Sequence, residues 1–301
     1  MIEQTPPIFF ALGATLCFAY ASTIFTEFSR NVSPIWMNAF KAFVACFSFW
    51  VTVIAFKSWI TPPIETLLAL FCSGALALMI GDIFMLHAMK DLGASRMLMI
   101  FGLQPFVLGL AGTIFFAQSF VKASLVGAVL MLLCLYTISL ESFKKNGHWQ
   151  ARGMFLGLIA VLLDAVGIVL TRFGFDSTPG MSSAQGNAIR CLGAVSAFFL
   201  LNHFYYRQKE RKISLTAPWS DFSKAQKMRV LLGSLMGTYI SLMLYLVAVS
   251  KGQLSVVSSV AVTGPMFAGL FECVRNRKWP SIYLLAAFTF FIAGFWIFTQ
   301  Q

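Results

Sequence analysis

The sequence predicts an all-α polytopic membrane protein, with ten transmembrane helices arranged as two inverted five-helix repeats. Three observations predict it. Apolar residues make up 58% of the 301 positions, charged residues only 11%, and mean hydropathy is +0.80. The apolar residues gather into runs of about 20, the length that crosses roughly 30 Å of hydrocarbon. A buried cation also recurs: Asn38-Ala39-Phe40-Lys41 in one apolar run is matched by Asn187-Ala188-Ile189-Arg190 in another.

The runs place spans at 8–27, 34–57, 64–89, 93–116, 121–140, 152–172, 181–204, 228–250, 254–273 and 278–299. Turn chemistry separates several of them: Ser33-Pro34 before the second, Thr61-Pro62-Pro63 before the third, Asn146-Gly147 before the sixth and Thr178-Pro179-Gly180 before the seventh. Residues 205–227, with Arg207, Lys209, Arg211, Lys212, Lys224 and Lys227, read as a solvated loop. No gap is long enough for a water-soluble domain.

The net charge of +11 does not point to nucleic acid, because the basic residues sit in short gaps between apolar runs, where they set topology. The six cysteines lie in or at the ends of apolar runs without CxxC spacing, so they read as small packing residues rather than disulfides or ligands. His87 stands near a helix end without a second His at ligand spacing. No metal and no cofactor is expected.

The two halves align. At an offset of 149, Asn38 and Lys41 fall on Asn187 and Arg190; at 160, Ala88, Ser95, Pro105 and Gly109 fall on Ala248, Ser255, Pro265 and Gly269. The loop before span eight absorbs the difference. Five spans per half is an odd number, so the second copy, 146–301, must run through the membrane upside down relative to the first, 1–145. Inverted repeats of this kind hold transport sites near the midplane between the copies.

An unpaired ionisable residue at a helix centre costs about 2.5–3.5 kcal/mol on the milder scale, which makes such residues functional candidates. Here they are Lys41, Asp82, Asp164 and Arg190. At 1.5 Å of rise per residue, Lys41 and Asp82 both lie roughly 10 Å from one face, and Arg190 and Asp164 about 12–13 Å from the other. The matched depths predict two pairs, Lys41 with Asp82 and Arg190 with Asp164. These pairs either fix helix register or line a cavity, where the cations grip an anionic group or an Asp exchanges a proton. Asn38, Asn187, Gln104, Tyr20 and Tyr245 are further cavity candidates, with Ser95, Ser255, Ser258, Thr263, Trp36 and Tyr239 behind them. Pro105 and Pro265 remove a backbone donor within spans four and nine, beside Gly102, Gly109, Gly264 and Gly269. They are expected either to pack closely or to act as hinges.

The full length of the chain resembles the EamA-type members of the drug/metabolite transporter superfamily. The resemblance rests on the ten spans, the 5+5 repeat, Pro34 followed by Lys41, and the turn Gly93-Ala94-Ser95-Arg96 leading to Pro105. It departs at the Glu that the family usually carries about thirteen residues after that proline: Gln118 and Lys278 stand there, so that role does not carry over. The resemblance implies a secondary transporter of a small organic solute (amino acid, metabolite or drug-like compound) in a bacterial inner membrane. Proton coupling or exchange would drive it. GxxxxGK[ST] does not occur, which excludes ATP hydrolysis by this polypeptide.

The competing classes are an intramembrane enzyme and a non-transporting scaffold. Gly81-Asp82 invites comparison with the GxGD of membrane aspartyl proteases, but Met79 stands where that motif needs Gly, and Leu163 precedes Asp164. The expected partners are a solute and the lipid bilayer, with monomer and homodimer both open. Loops after odd-numbered spans hold sixteen Lys and Arg against four on the other side (Lys57, Lys122, Arg172 and Lys251). That imbalance puts both termini outside, against the usual orientation of the family's bacterial members.

Overall fold

The computed structural model describes residues 7–116, 123–147, 150–203, 217–251, 257, 260, 263–277 and 279–299. Those residues are helical apart from short turns, and no strand occurs among them. The helices are α1 (Pro7–Asn31), α2 (Pro34–Ala55), α3 (Ile64–Leu92), α4 (Ala94–Phe116), α5 (Ala123–Asn146), α6 (Ala151–Ser177), α7 (Ser183–Leu201), α8 (Lys224–Ser250), α9 (Gly264–Asn276) and α10 (Ile282–Thr299). Among the described residues seven of them, α1 to α4 and α6 to α8, are long and apolar enough to cross a membrane. Helices α5, α9 and α10 take the places of the fifth, ninth and tenth expected spans.

Local chemistry sets the boundaries. Helix α2 starts at Ser33, whose hydroxyl accepts from the Trp36 amide, with Pro34 in the first turn where its missing N–H costs nothing. Ser182 caps α7 in the same way through Gln185. Ser223 and Gln226 form a reciprocal capping box that starts α8 four residues before the expected position 228. Gly93, at φ 93, takes the left-handed backbone that ends α3 and lets α4 begin at once.

The expected solvated loop at 205–227 needs correction at its end. Residues 217–221 form a short helix, Ala217–Asp221. Trp219 stacks on Phe40, and Phe222 meets Trp36 and Phe28 edge-on. Two aromatics in a basic stretch were overlooked, and burying them against α1 and α2 outweighs solvation of the segment. Residues 207–212 lie outside the described residues.

Helix packing interleaves the first five helices with the last five. Helix α1 runs along α8 as α6 runs along α3; α2 pairs with α7, α4 with α9 and α5 with α10. Each contact has its counterpart when the two sets are exchanged. Both α3 and α8 contain a π-helical segment, Gly74–Gly81 and Leu235–Ile240. These segments coincide at the same offset of 160. π turns are rare and recur at functional sites.

The buried clusters show the same exchange. One contains Ala88, Met89, Met97, Ile100 and Ala268. Another contains Ala248, Val249, Val257, Val260 and Leu108, which are the partners of those residues at offset 160. The first cluster is extended by Phe25, Phe28 and Trp36, while the second is built mainly of smaller side chains.

Candidate functional site

A cavity of about 130 Å³ lies among α1, α2, α3, α4, α6, α8 and α9, between the two clusters in the order of each helix. Both π segments reach it: Leu78 from the first, with Asp82 immediately after it, and Gly237 and Thr238 from the second, with Ser241 immediately after it. A π turn widens the helix and releases carbonyls from the regular ladder. Asn38 meets that need, donating its amide to the carbonyls of Leu78 and Met79 at 3.1 and 2.9 Å. On the other side Asn187 donates to the Leu242 carbonyl at 3.0 Å, two residues past the π segment of α8. The repeated Asn is therefore a brace for α3 and α8. Neither Asn lines the cavity.

The four membrane charges divide unevenly. Lys41 lines the cavity and forms the expected ion pair with Asp82, its ammonium also lying 5.3 Å from the Phe25 ring centroid. Arg190 and Asp164 do not pair, contrary to the expectation from depth. Arg190 donates from Nε to the Ser73 hydroxyl at 3.0 Å and from Nη1 to Asn187 Oδ1 at 3.4 Å. It points into the α3–α7 contact and is absent from the cavity wall. Depth fixes only the axial coordinate, and rotation about α7 turns Arg190 toward Ser73. Asp164 is hydrogen-bonded by the Gln104 amide and lines the cavity with it. Arg190 and Asp82 reach Asp164 only through space.

Among the described residues the two carboxylates have different partners, so a shared-proton dyad of the aspartyl-protease kind is not formed. Tyr245 lines the cavity, whereas Tyr20 is 42% exposed and packs edge-on against Phe271 outside it. Trp36 and Tyr239 also lie away from it, and Tyr239 shares a hydrogen bond with Thr52 at 2.6 Å.

The two prolines sit differently. Pro105 lies inside α4, as expected, just past a 3₁₀ turn at Phe101–Leu103 that interrupts the helix before Gln104–Phe116. Pro265 is the second residue of α9 as described, where the absent donor is not needed. Pro265 lines the cavity and accepts from the Ser95 hydroxyl at 3.2 Å; Pro105 is buried behind the wall. Thr263 bonds back to Val260, and Ser255, Ser258, Gln118 and Lys278 lie outside the described residues.

Several lining residues escaped the sequence reading, chiefly Thr15, Thr238 and Ser241. A signal was present. Thr15 is the partner of Asp164 at offset 149, and Thr238 is the partner of Leu78 at offset 160.

A model of the EamA-like transporter family matches residues 5–140 and, separately, residues 151–300. One solved structure, described only as "Crystal structure of protein", aligns with a TM-score of 0.69 at 14% identity, over 96% of this chain and 95% of its own, a likeness of fold. A comparison with curated proteins returns no match. Two family matches that between them cover nearly the whole of a chain, whose described residues include seven membrane-length apolar helices, describe a multi-pass membrane protein of a transporter family. The chain belongs to the EamA-like transporter family.

Proposed function

We propose that the protein is a secondary transporter that moves a small organic solute by alternating access. It would work through two inverted five-helix repeats, 1–145 and 146–301, which together span the bilayer ten times. The observation that carries this reading is the cavity itself: it draws on both sets of helices and has repeat-related apolar clusters on either side. The two family matches and the exchangeable packing of α1–α8 with α6–α3 support the repeat. In such a machine the substrate site stays fixed near the midplane while one seal loosens and the other closes. Lys41, Asp82, Asp164, Gln104 and Tyr245 form the site; Asn38, Asn187 and Arg190 hold its walls. Pro105, just past the 3₁₀ turn inside α4, and Pro265, in the first turn of α9, mark the places where these helices can pivot. The charge asymmetry of the loops supports an orientation with both termini outside.

One labelling experiment tests access and orientation together. A cysteine at Ser241, in a background without the native cysteines, should react with a membrane-impermeant maleimide from both faces, using vesicles of opposite sidedness. A cysteine at Lys57 should react only from outside intact cells. Labelling of Ser241→Cys from one face under all conditions overturns alternating access, and labelling of Lys57→Cys only from the cytoplasm overturns the orientation.

A further inference from the structure

Buried cations in the sequence point to a grip on an anion; the lining of the cavity argues for the opposite sign. Resting on the transporter reading above, we infer that the solute carries a protonated amine, seated on Asp164. Among the described residues the lining contains one cation, Lys41, and two carboxylates, Asp82 and Asp164. Lys41 is already engaged by Asp82. The second cation of the repeat, Arg190, is held by Ser73 and Asn187 outside the wall. Asp164 therefore faces the cavity with one amide hydrogen bond from Gln104 and, among the described residues, no cation within ion-pair distance. A carboxylate left this way inside a membrane protein calls for a positive partner, and an ammonium is the partner a solute can bring.

A second, independent feature points into the same space. Thr238, on the π segment of α8, is 4% exposed, lines the cavity, and its hydroxyl has no hydrogen-bond partner. Buried hydroxyls are normally satisfied, so an orphan one on a cavity wall marks a place for a ligand atom. An ammonium has three donors; Asp164 and Thr238 supply acceptors on facing helices α6 and α8. Apart from Thr15 and Ser241, most of the remaining wall is apolar or aromatic, including Phe18, Leu78, Met85, Phe101 and Tyr245. Aromatic rings attract organic cations and cover a hydrocarbon body.

Size narrows the class further. The cavity, about 130 Å³, is slightly smaller than the engineered apolar cavity of about 150 Å³ that admits benzene in another protein. The solute held in this state is thus a compact amine of roughly half a dozen heavy atoms.

The test uses the purified full chain and two four-carbon probes of opposite charge, butylamine and butanoate. Butylamine should raise the melting temperature in a concentration-dependent way and butanoate should not. Asp164→Asn should weaken the amine effect about 10- to 100-fold, the loss expected for a charge-assisted hydrogen bond. Thr238→Val, which removes a hydroxyl that bonds nothing in the protein, should fold normally and weaken the effect several-fold. Stabilisation by butanoate, or an amine effect that persists unchanged in both variants, overturns the assignment. Exchange of labelled probe in proteoliposomes separates this claim from the one beneath it. Amine binding without amine flux leaves the amine site standing and removes the transport reading. Flux of butanoate without amine binding keeps transport and overturns the amine site.

Discussion

Two of the seams that join the first five helices to the last five, α3–α7 and α2–α8, are related by the repeat, yet they are built differently. In the α3–α7 seam the backbones touch. A Cβ on Gly74 would sit 1.7 Å from the Arg190 carbonyl oxygen, and one on Gly193 would sit 2.1 Å from the Phe71 carbonyl oxygen. Arg190 and Ser73 hydrogen-bond across the same contact. In the α2–α8 seam the equivalent positions are Val44 and Ser234, which are larger. That seam is bridged instead by the Thr52–Tyr239 hydrogen bond. One seam is locked by steric fit and a buried guanidinium, the other tied by a single pair of hydroxyls.

The same division runs through the site. Where the halves agree, they build the frame: the two Asn braces, the two π turns, the paired prolines Pro105 and Pro265, and the paired alanines Ala88 and Ala248. Where they differ, they build the chemistry. Asp82 is matched by Leu242, Asp164 by Thr15, Gln104 by Gly264 and Tyr245 by Met85, and all eight line the cavity. Duplication gave a symmetric container, and divergence put the more polar partner on one side of each pair. The difference between Lys41 and Arg190 follows directly. Arg190 finds Ser73 on α3, but the matching position on α8 is Gly233, so Lys41 has no hydroxyl there and turns to Asp82. Asn38 Oδ1 is left without a partner, whereas Asn187 Oδ1 accepts from Arg190.

The largest effect should come from breaking that divergence at Asp82. Asp82→Asn leaves Lys41, whose side chain is 3% exposed, as a buried charge without its counter-ion. Removing one member of a buried pair costs about 3–5 kcal/mol, a loss that thermal unfolding in detergent should register plainly. Restoring neutrality with Lys41→Met in the same chain should recover most of it, because the penalty belongs to the orphaned charge and not to the lost attraction. A double variant as unstable as the single one would mean that Asp82 acts through packing alone.

Next in size is the locked seam. Gly74→Ala forces a methyl against a backbone carbonyl that cannot rotate away, so α3 and α7 must separate. Overpacking of this kind typically costs about 1–3 kcal/mol, occasionally more. The equivalent change on the other seam, Ser234→Ala, only removes a hydroxyl bonded to its own helix at the Val230 carbonyl, and should be near neutral. Melting temperatures of the two variants, measured side by side, therefore sharpen the comparison. Equal losses would show that the two seams are not mechanically distinct.

How much of this was legible in the sequence depends on which coordinate is asked for. Hydropathy reports position along the membrane normal, so the order of the helices and the common depth of Lys41 and Asp82 could be read directly. It reports nothing about rotation around a helix axis. That is why Arg190 was assigned to Asp164 and why Tyr20, which faces outward, looked like a cavity residue. Breaks within a span are also invisible to it. The 3₁₀ turn before Gln104 and the two π turns lie in unbroken apolar sequence, Phe101-Gly102-Leu103, Gly74–Gly81 and Leu235–Ile240. The offsets held more than depth did, since applying 160 to Leu78 and 149 to Asp164 lands on Thr238 and Thr15.

The smallest effect should come from the tied seam, and its smallness is the point. Tyr239→Phe keeps the ring on Phe49, 4.8 Å between centroids, and removes only the hydroxyl shared with Thr52. Thr52 can fall back on its bond to the Ser48 carbonyl at 2.8 Å, so no buried donor is stranded. Hydrogen bonds between membrane helices average about 0.6 kcal/mol in double-mutant cycles. A cycle of Tyr239→Phe with Thr52→Val should give a coupling of that order in equilibrium unfolding. The functional consequence runs the other way from stability. If α2–α8 is the seam that yields while α3–α7 holds, loosening the tie should make a cysteine at Ser241 react faster with maleimide, and loosening the lock should not selectively do so. A coupling well above 1.7 kcal/mol, the largest value found for such pairs, would make the tie as firm as the lock and leave no reason for the protein to open on that side.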